Sequence, residues 1–394
     1  MDNLTNPFSP GAGSPPPELA GRQPILDRAH LALGRLKLGK HEKSFLLVGL
    51  RGVGKTVLLR EIEKLAKTSK YQTVFIEAPE NKSLATLLIP PLRDTLYALD
   101  RMEHISQKVK RGIKVLNSFI NSVKLKYHDL EFSIGVDPET GTADSGDLEA
   151  DLPALLEVIG EAAADRHTVV SIIMDEMQYL TEKDLSALIT AFHRLSQKQL
   201  PMVLIGAGLP QLVALAGNSK SYTERLFDFP RIGPLKDEDA IKALQDPVQE
   251  QGAQFTPEAL QEIIHQTKGY PYFIQEWGYQ AWNISSTPTI DINVINEAND
   301  VSIRHLDESF FRVRLERLTP GEKKYLRAMA ELGIGPHRSG DIAEKLGVKP
   351  QSISPTRSSL IKKGMIFSPA HGDTDFTVPL FDAFMKRAMP QMPT

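Results

Sequence analysis

The feature that most constrains this chain is a glycine-rich octapeptide at residues 49–56 (GLRGVGKT), which lies between a short apolar run and a helical pattern. It matches G-x-x-x-x-G-K-[ST] in the required context. Glycines let backbone amides turn towards phosphate oxygens, and the N-terminus of the following helix adds positive potential. Lys55 would neutralise phosphate charge and Thr56 would ligate Mg²⁺. A chance glycine turn is the alternative, but the pattern predicts a nucleoside triphosphate site. The predicted lining residues are Gly49, Gly52, Val53, Gly54, Lys55, Thr56 and Val57.

A second motif, residues 171–176 (SIIMDE), is an apolar strand that ends in two acids. Acids at the exit of a buried strand belong beside a phosphate loop, where Asp175 would hold the magnesium shell and Glu176 would polarise the attacking water. The alternative is a helix cap that begins at Asp175. Glu176 favours hydrolysis over binding alone.

Composition excludes several classes of protein. The 394 residues are 41% hydrophobic and 24% charged, close to globular averages, which argues against disordered, collagen-like and coiled-coil chains. The net charge of −3 is too even to indicate nucleic acid or membrane partners for the whole chain. No apolar run reaches the 18 or so residues that span a bilayer, and the first basic residue is Arg22, so we expect neither membrane insertion nor export. Zero cysteines exclude thiol chemistry and fit a cytoplasmic protein.

Alternating apolar runs and helical periods predict an α/β fold, with a parallel sheet flanked by helices, then a helical lid and a winged helix. The predicted division is an extended N-terminal arm at 1–19, a core at 20–234 with a helical and β insertion near 100–148, a lid at 235–300, a connector helix at 301–318 and a winged helix at 319–394. The β part of the insertion rests on alternation at Leu130, Phe132 and Ile134.

By its phosphate loop and its strand-end acids, the sequence resembles the AAA+ class of P-loop ATPases over roughly residues 20–300. It is most similar to the origin-recognition-like and archaeal-type branch related to signal-transduction NTPases. The resemblance implies hydrolysis of ATP to ADP and phosphate. Residues 17–22 (PELAGR) resemble the segment that these proteins place against adenine, which makes Gly21 and Arg22 base-side candidates. Alternatively, Arg22 only caps the next helix.

Two further elements follow from the resemblance. Residues 221–227 (SYTERLF) lie where related ATPases carry an arginine that reaches a neighbour's γ-phosphate, so Arg225 implies a homo-oligomer. Gly269 and Pro271, in a glycine-x-proline element, would start a lid helix that touches the nucleotide. The alternatives are a surface ion-pair arginine and a simple helix start.

Two positions depart from the family pattern. A polar sensor often follows the fourth core strand, but residues 205–210 (IGAGLP) offer none. A lid arginine aimed at the γ-phosphate is also missing at residues 270–272 (YPY). We therefore expect slow or partner-dependent turnover, as in a switch.

The C-terminal segment has the order of a winged helix. Thr319 and Pro320 announce a helix, residues 341–363 have the spacing of a helix-turn-helix, and 365–378 predict a hairpin with its tip at 371–373. The segment 319–394 carries a net charge of +4, against −7 for the rest. Such asymmetry suits a duplex-binding module. The predicted DNA-facing residues are Gln351, Ser352, Ser354, Arg357, Lys362 and Lys363.

Winged helices also dock proteins, and Pro355 should interrupt the reading helix. Two functions therefore stay open. One is an ATPase switch that is linked to double-stranded DNA, and the other is a nucleotide-gated switch that binds a protein partner with little turnover.

Overall fold

The computed structural model describes residues 1–11, 13–80, 82–101, 106–124, 136–370 and 372–391. The β pattern predicted at Leu130, Phe132 and Ile134 lies outside the described residues, as does His371 at the predicted hairpin tip. No helix within the described ranges combines the length and the hydropathy needed to cross a bilayer.

The strands are β1 (Ser44–Val48), β2 (Gln72–Glu77), β3 (Val170–Asp175), β4 (Met202–Gly208), β5 (Phe227–Asp228), β6 (Gln254–Phe255), β7 (Thr289–Ile290), β8 (His337–Arg338), β9 (Ile366–Phe367) and β10 (Asp373–Phe376). The helices are α1 (Gln23–Lys37), α2 (Lys55–Thr68), α3 (Leu84–Asp100), α4 (Gln107–Lys124), α5 (Leu148–Asp165), α6 (Glu182–Gln197), α7 (Gln211–Ser219), α8 (Thr223–Leu226), α9 (Asp237–Glu250), α10 (Pro257–Thr267), α11 (Pro271–Ile284), α12 (Ile292–His305), α13 (Arg312–Glu316), α14 (Pro320–Glu331), α15 (Ser339–Lys345), α16 (Pro350–Lys362) and α17 (Phe381–Ala388). A π-helical stretch, Leu306–Phe311, joins α12 to α13.

A parallel sheet carries the α/β part, with the strand order β2-β3-β4-β1-β5. In its register Phe45 and Ile173 both pair with Ile205. The three central strands are buried along their whole length, as sheets covered on both faces are. The predicted α/β fold with a parallel sheet is confirmed. Helix α4 lies within the range predicted as an insertion.

The chain divides into two compact units. The first comprises Met1–Gln23, Gly49–Val57 and Ile232–Thr394, and the second comprises Pro24–Val48 and Leu58–Arg231. Each unit has its own apolar core: sheet and helix residues in the second unit, and arm, lid and C-terminal residues in the first. The domain limits taken from the sequence remain predictions.

The N-terminal arm packs within the first unit. The Phe8 ring is 3% exposed and meets the Phe255 ring edge-on, with 6.4 Å between centroids. Gly278 makes room for Phe8, because a Cβ there would lie 2.6 Å from the Phe8 ring. The Trp282 indole N–H donates to the Asp2 carbonyl at 2.9 Å. The arm is therefore anchored along α11.

The C-terminal part begins where the sequence predicts. The Thr319 hydroxyl and the Glu322 carboxylate cap α14 reciprocally. Strands β9 and β10 pair as the predicted hairpin, and β8 extends them to the antiparallel order β8-β10-β9. The predicted interruption at Pro355 is wrong, since α16 runs through it. Proline in a helix removes one N–H, here the donor to the carbonyl of Gln351, yet α16 continues to Lys362.

Candidate functional site

The phosphate loop, residues 49–56, has a backbone that depends on its glycines. Gly52 and Gly54 have φ values of +79° and +88°. This left-handed conformation costs residues other than glycine about 1–2 kcal/mol. A Cβ on Gly49 would collide with the carbonyl oxygen of Ile232. Positive φ values at alternate residues are typical of the concave backbone nests that bind anions. Helix α2 begins at Lys55 and adds the positive potential of its N-terminus.

The Lys55 side chain folds back over this loop. Its ammonium group is largely buried, with 8% of the residue exposed. The ammonium donates to the carbonyl oxygens of Gly49 at 2.9 Å and Leu50 at 2.8 Å. Charge-assisted bonds to phosphate oxygens are stronger than bonds to neutral carbonyls, so a triphosphate would compete well for this cation. The loop and Lys55 together fit a nucleotide phosphate tail.

Arg22, which follows the N-terminal arm, is hydrogen-bonded to the phosphate loop. It is 9% exposed and donates to the carbonyl oxygens of Val53 at 3.1 Å and Gly233 at 2.6 Å. Burial lowers the pKa of the Arg22 guanidinium, and the carboxylate of Asp239 opposes that shift. Next to it, Gly21 has a φ of +68° and approaches Asp239 so closely that a Cβ would lie 2.6 Å from Oδ2. Arg22 thus joins the loop to residue 233, and base contact by Gly21 and Arg22 remains a prediction.

The predicted lid element lies against the same loop. Gly269 has a φ of +71°, and a Cβ there would lie 2.6 Å from the carbonyl oxygen of Leu235. Leu235 in turn donates its N–H to Gly269 at 2.8 Å. Pro271 begins α11, and the N–H of Tyr272 donates to the carbonyl of Gly52 at 3.2 Å. The predicted glycine-x-proline element is therefore hydrogen-bonded to the phosphate loop.

A contact that the sequence did not indicate joins the loop to the C-terminal hairpin. The N–H of Arg51 donates to the carbonyl oxygen of Thr377 at 3.0 Å. Thr377 is fully buried, and its hydroxyl donates to the Gly364 carbonyl at 2.6 Å. A threonine more than 300 positions away carries no local signal of this contact.

The two strand-end acids lie in the second unit. Asp175 is 3% exposed, and its carboxylate accepts the N–H of Glu176 at 2.8 Å. Glu176 has left-handed backbone angles, φ 54° and ψ 34°, which for a residue other than glycine cost on the order of 1–3 kcal/mol and concentrate at functional sites. Asp175 is the last residue of β3 and Glu176 follows it, at the end of the sheet where β1 also ends, and ligands of open parallel sheets bind at this end.

Gln178 is a site residue that sequence reasoning missed. Its amide nitrogen donates to Glu176 Oε2, and its amide oxygen accepts the N–H of Leu209 at 3.0 Å. The available signal was a polar residue two positions after the acid pair, between Met177 and Tyr179.

Arg225 lies apart from the acids in the sheet topology. It is exposed on α8, immediately before β5. Phe227 pairs with Ser44, so this end of β5 is level with the amino end of β1. Asp175, in contrast, lies at the carboxyl end of β3. Arg225 and Asp175 therefore lie at opposite ends of the parallel strands.

The predicted DNA-facing residues lie on or next to α16 and divide into two groups. Four are exposed: Gln351, Ser352, Ser354 and Lys362. The other two bind within the C-terminal part. Arg357 donates to the hydroxyls of Thr374 and Ser368, both at 2.9 Å, and Lys363 pairs with Glu322 at 2.7 Å.

Comparison with known families supports an AAA+ P-loop ATPase domain. Residues 18–205 match the family model described as "AAA ATPase domain". Residues 308–385 match a model described as a domain of unknown function. No protein of curated function matches the chain.

Several solved structures are similar to this chain. A Walker-type ATPase of Pyrococcus abyssi is 15% identical with a TM-score of 0.55, over 93% of this chain and 96% of the other, which shows a common fold. Cdc6p of Pyrobaculum aerophilum is 16% identical with a TM-score of 0.46, over 98% of this chain and 97% of the other. The Orc1 protein of Aeropyrum pernix, solved in complex with DNA, is 15% identical with a TM-score of 0.45, over 95% of this chain and 94% of the other.

Proposed function

We propose that the AAA+ ATPase domain of this chain binds ATP with Mg²⁺ and hydrolyses it to ADP and phosphate, and that nucleotide state controls an oligomeric switch linked to DNA. The observation that carries the proposal is the phosphate loop, with its glycine-dependent nest and the buried ammonium of Lys55. The absence of cysteine supports the cytoplasm as its compartment.

The chemistry can be assigned to residues of this chain. Thr56 and Asp175 would hold Mg²⁺, which supplies positive charge against the phosphate oxygens. Lys55 binds the terminal phosphates and exchanges its bonds to the Gly49 and Leu50 carbonyls for bonds to phosphate. Glu176 orients the attacking water and accepts its proton. Because phosphoryl transfer depends mainly on positioning and charge, these roles account for the part of hydrolysis that one subunit would supply.

Two variants test this proposal. Lys55→Ala should abolish ATP binding, whereas Glu176→Gln should keep binding and lose turnover. Lys64→Ala is the matched control, since Lys64 lies on the same helix but is exposed and pairs with Glu61. Calorimetry with Mg²⁺-ATP and a phosphate-release assay provide the readouts. Unchanged ATP affinity in Lys55→Ala would refute the site, and unchanged turnover in Glu176→Gln would refute the role of Glu176.

The oligomer is proposed from Arg225. Arg225 is exposed and lies at the end of the strands opposite to Asp175. This position argues against action on the nucleotide of its own chain. An exposed arginine there could stabilise transition-state charge on the γ-phosphate of a neighbouring subunit. ATP hydrolysis would then require assembly.

The DNA link is proposed from the C-terminal segment. The element order α14, β8, α15, α16 and the β9–β10 hairpin supports a winged helix. The exposed polar side chains of α16 and the net charge of +4 suit contact with base edges and phosphates.

One observation favours the second candidate, a nucleotide-gated switch that docks a protein. Arg357 and Lys363, two of the basic residues in the proposed DNA-facing set, are engaged in bonds within the C-terminal segment. Titration of the full chain with duplex DNA at increasing salt separates the two functions. Affinity that falls with salt supports the DNA link, and no binding at low salt leaves the docking switch.

A further inference from the structure

The side-chain amide of Gln178 is hydrogen-bonded to both Glu176 and the backbone of Leu209, which all lie in the second unit. Gln178 lies half-buried in the 3-10 turn Met177–Tyr179, directly after the acid pair. The N–H of Leu209 can only donate, so it must face the amide oxygen of Gln178, at 3.0 Å. The amide nitrogen is thereby left to donate to Glu176 Oε2, as observed. The amide orientation thus follows from the bonding pattern.

The end of β4 is shaped to receive this turn. A Cβ on Gly208 would lie 2.9 Å from the amide oxygen of Gln178, and one on Gly206 would collide with the Met177 sulfur. A side chain at either position would therefore displace the turn. This accounts for the lack of a polar residue at the end of this strand, where related ATPases often carry a sensor.

We infer that Gln178 is a positioning residue that aims the carboxylate of Glu176 and couples it to the end of β4. The inference rests on the proposed hydrolysis. Glu176 has the left-handed backbone conformation that concentrates at functional sites. Its carboxylate accepts the amide N–H of Gln178, and Gln178 is itself held by the backbone N–H of Leu209.

The decisive variant is Gln178→Glu, which preserves the acceptor for Leu209 but replaces the donor to Glu176 by a carboxylate. An ionised carboxylate offers no donor to Glu176, so the carboxylate of Glu176 loses this support. We expect kcat to fall by about 10- to 100-fold, as for other supporting partners, with unchanged ATP affinity.

A purely structural role of Gln178 would lower thermal stability or ATP affinity together with kcat. Gln197→Glu is the matched control, because Gln197 is exposed on α6 and the charge change is the same. Gln178→Met serves as a second variant that keeps length without charge, and it should lower kcat at constant KM. Thermal unfolding of each variant verifies the fold.

The outcomes separate this inference from the proposed function. If Glu176→Gln retains full turnover, the proposed hydrolysis mechanism is wrong. If Glu176→Gln loses turnover while Gln178→Glu or Gln178→Met keeps the wild-type kcat, or loses kcat only together with ATP affinity or thermal stability, the role of Gln178 alone is wrong. A reduced kcat in both variants, at unchanged ATP affinity and thermal stability, supports it.

Discussion

The N–H of Tyr272 donates to the carbonyl oxygen of Gly52 at 3.2 Å, so the first turn of α11 is hydrogen-bonded to the phosphate loop. In the same loop, Arg51 donates its N–H to the carbonyl oxygen of Thr377 at 3.0 Å. The first turn of α11 and the end of the C-terminal hairpin therefore both contact the loop directly. A rearrangement of the loop on nucleotide binding would alter both bonds.

Gly269→Ala should weaken ATP binding. Both this variant and its control, Gly252→Ala, place a side chain at a positive φ, for about 1–2 kcal/mol of strain. At Gly269 the added Cβ must also displace the Leu235 carbonyl, whereas no atom lies within 4 Å of a Cβ at Gly252. A displacement of α11 that costs about 1.4 kcal/mol raises the Kd about tenfold. Calorimetry should show this loss for Gly269→Ala alone, and equal affinities in the two variants would contradict it.

Arg225→Ala should reduce turnover by about a thousandfold, the lower end of the effect of an arginine that acts in trans. Mixing it with Glu176→Gln protein should restore part of the activity, because some shared sites then receive both intact residues. The control is Arg101→Ala, an exposed arginine at the end of α3. Phosphate release is measured together with mass measurements of the mixture. Mixed oligomers without any recovered activity would exclude a shared site.

Arg357→Ala and Lys362→Ala should have different effects. Arg357 donates to the Thr374 and Ser368 hydroxyls and to the Asp373 carbonyl, so its loss should destabilise the protein by about 1–3 kcal/mol. Lys362 is exposed, so its removal should leave stability unchanged and reduce the salt slope of duplex binding by about 1. Thermal unfolding and fluorescence anisotropy measure the two effects. A duplex affinity that is insensitive to Lys362 would argue against its phosphate contact.

Glu322 should make stability depend on pH. Burial raises its pKa, but hydrogen bonds from Lys363, the Thr319 backbone and Ser359 outweigh this and lower the pKa from 4.5 to about 2. A lowered folded-state pKa gives stability that is present above pH 4.5 and lost as pH falls towards 2. Since Lys363 is partly exposed, solvent screens its pairing with Glu322. We therefore expect the free energy of unfolding to fall by roughly 1–2 kcal/mol over this pH range.

Denaturant unfolding of wild-type and Glu322→Gln protein between pH 3 and 7 tests this effect, with exposed Glu344→Gln as the control. The difference between wild type and Glu322→Gln should shrink as pH falls below 4.5. A difference that is constant across this range would contradict the depressed pKa.

Much of the fold was predictable because its signals are local. The apolar run before the glycine-rich octapeptide forms β1, and Pro271 begins α11 as a proline at a first helical turn does. Strand β4 continues through Gly206 to Gly208, which local propensity does not favour. Val48 pairs with Gly208, and this pairing outweighs the low strand propensity of glycine.

The sequence by itself determined the phosphate loop and the acid pair, because each consists of adjacent residues whose chemistry depends on a strand before and a turn or helix after. Only the tertiary structure decided that Arg22 bonds to Val53, that Gln178 bonds to both Glu176 and Leu209, and that Thr377 meets Arg51. Most of these bonds join residues that are distant in sequence and use common donors and carbonyl acceptors. Their partners are set by packing of the backbone, which no short pattern of residues encodes.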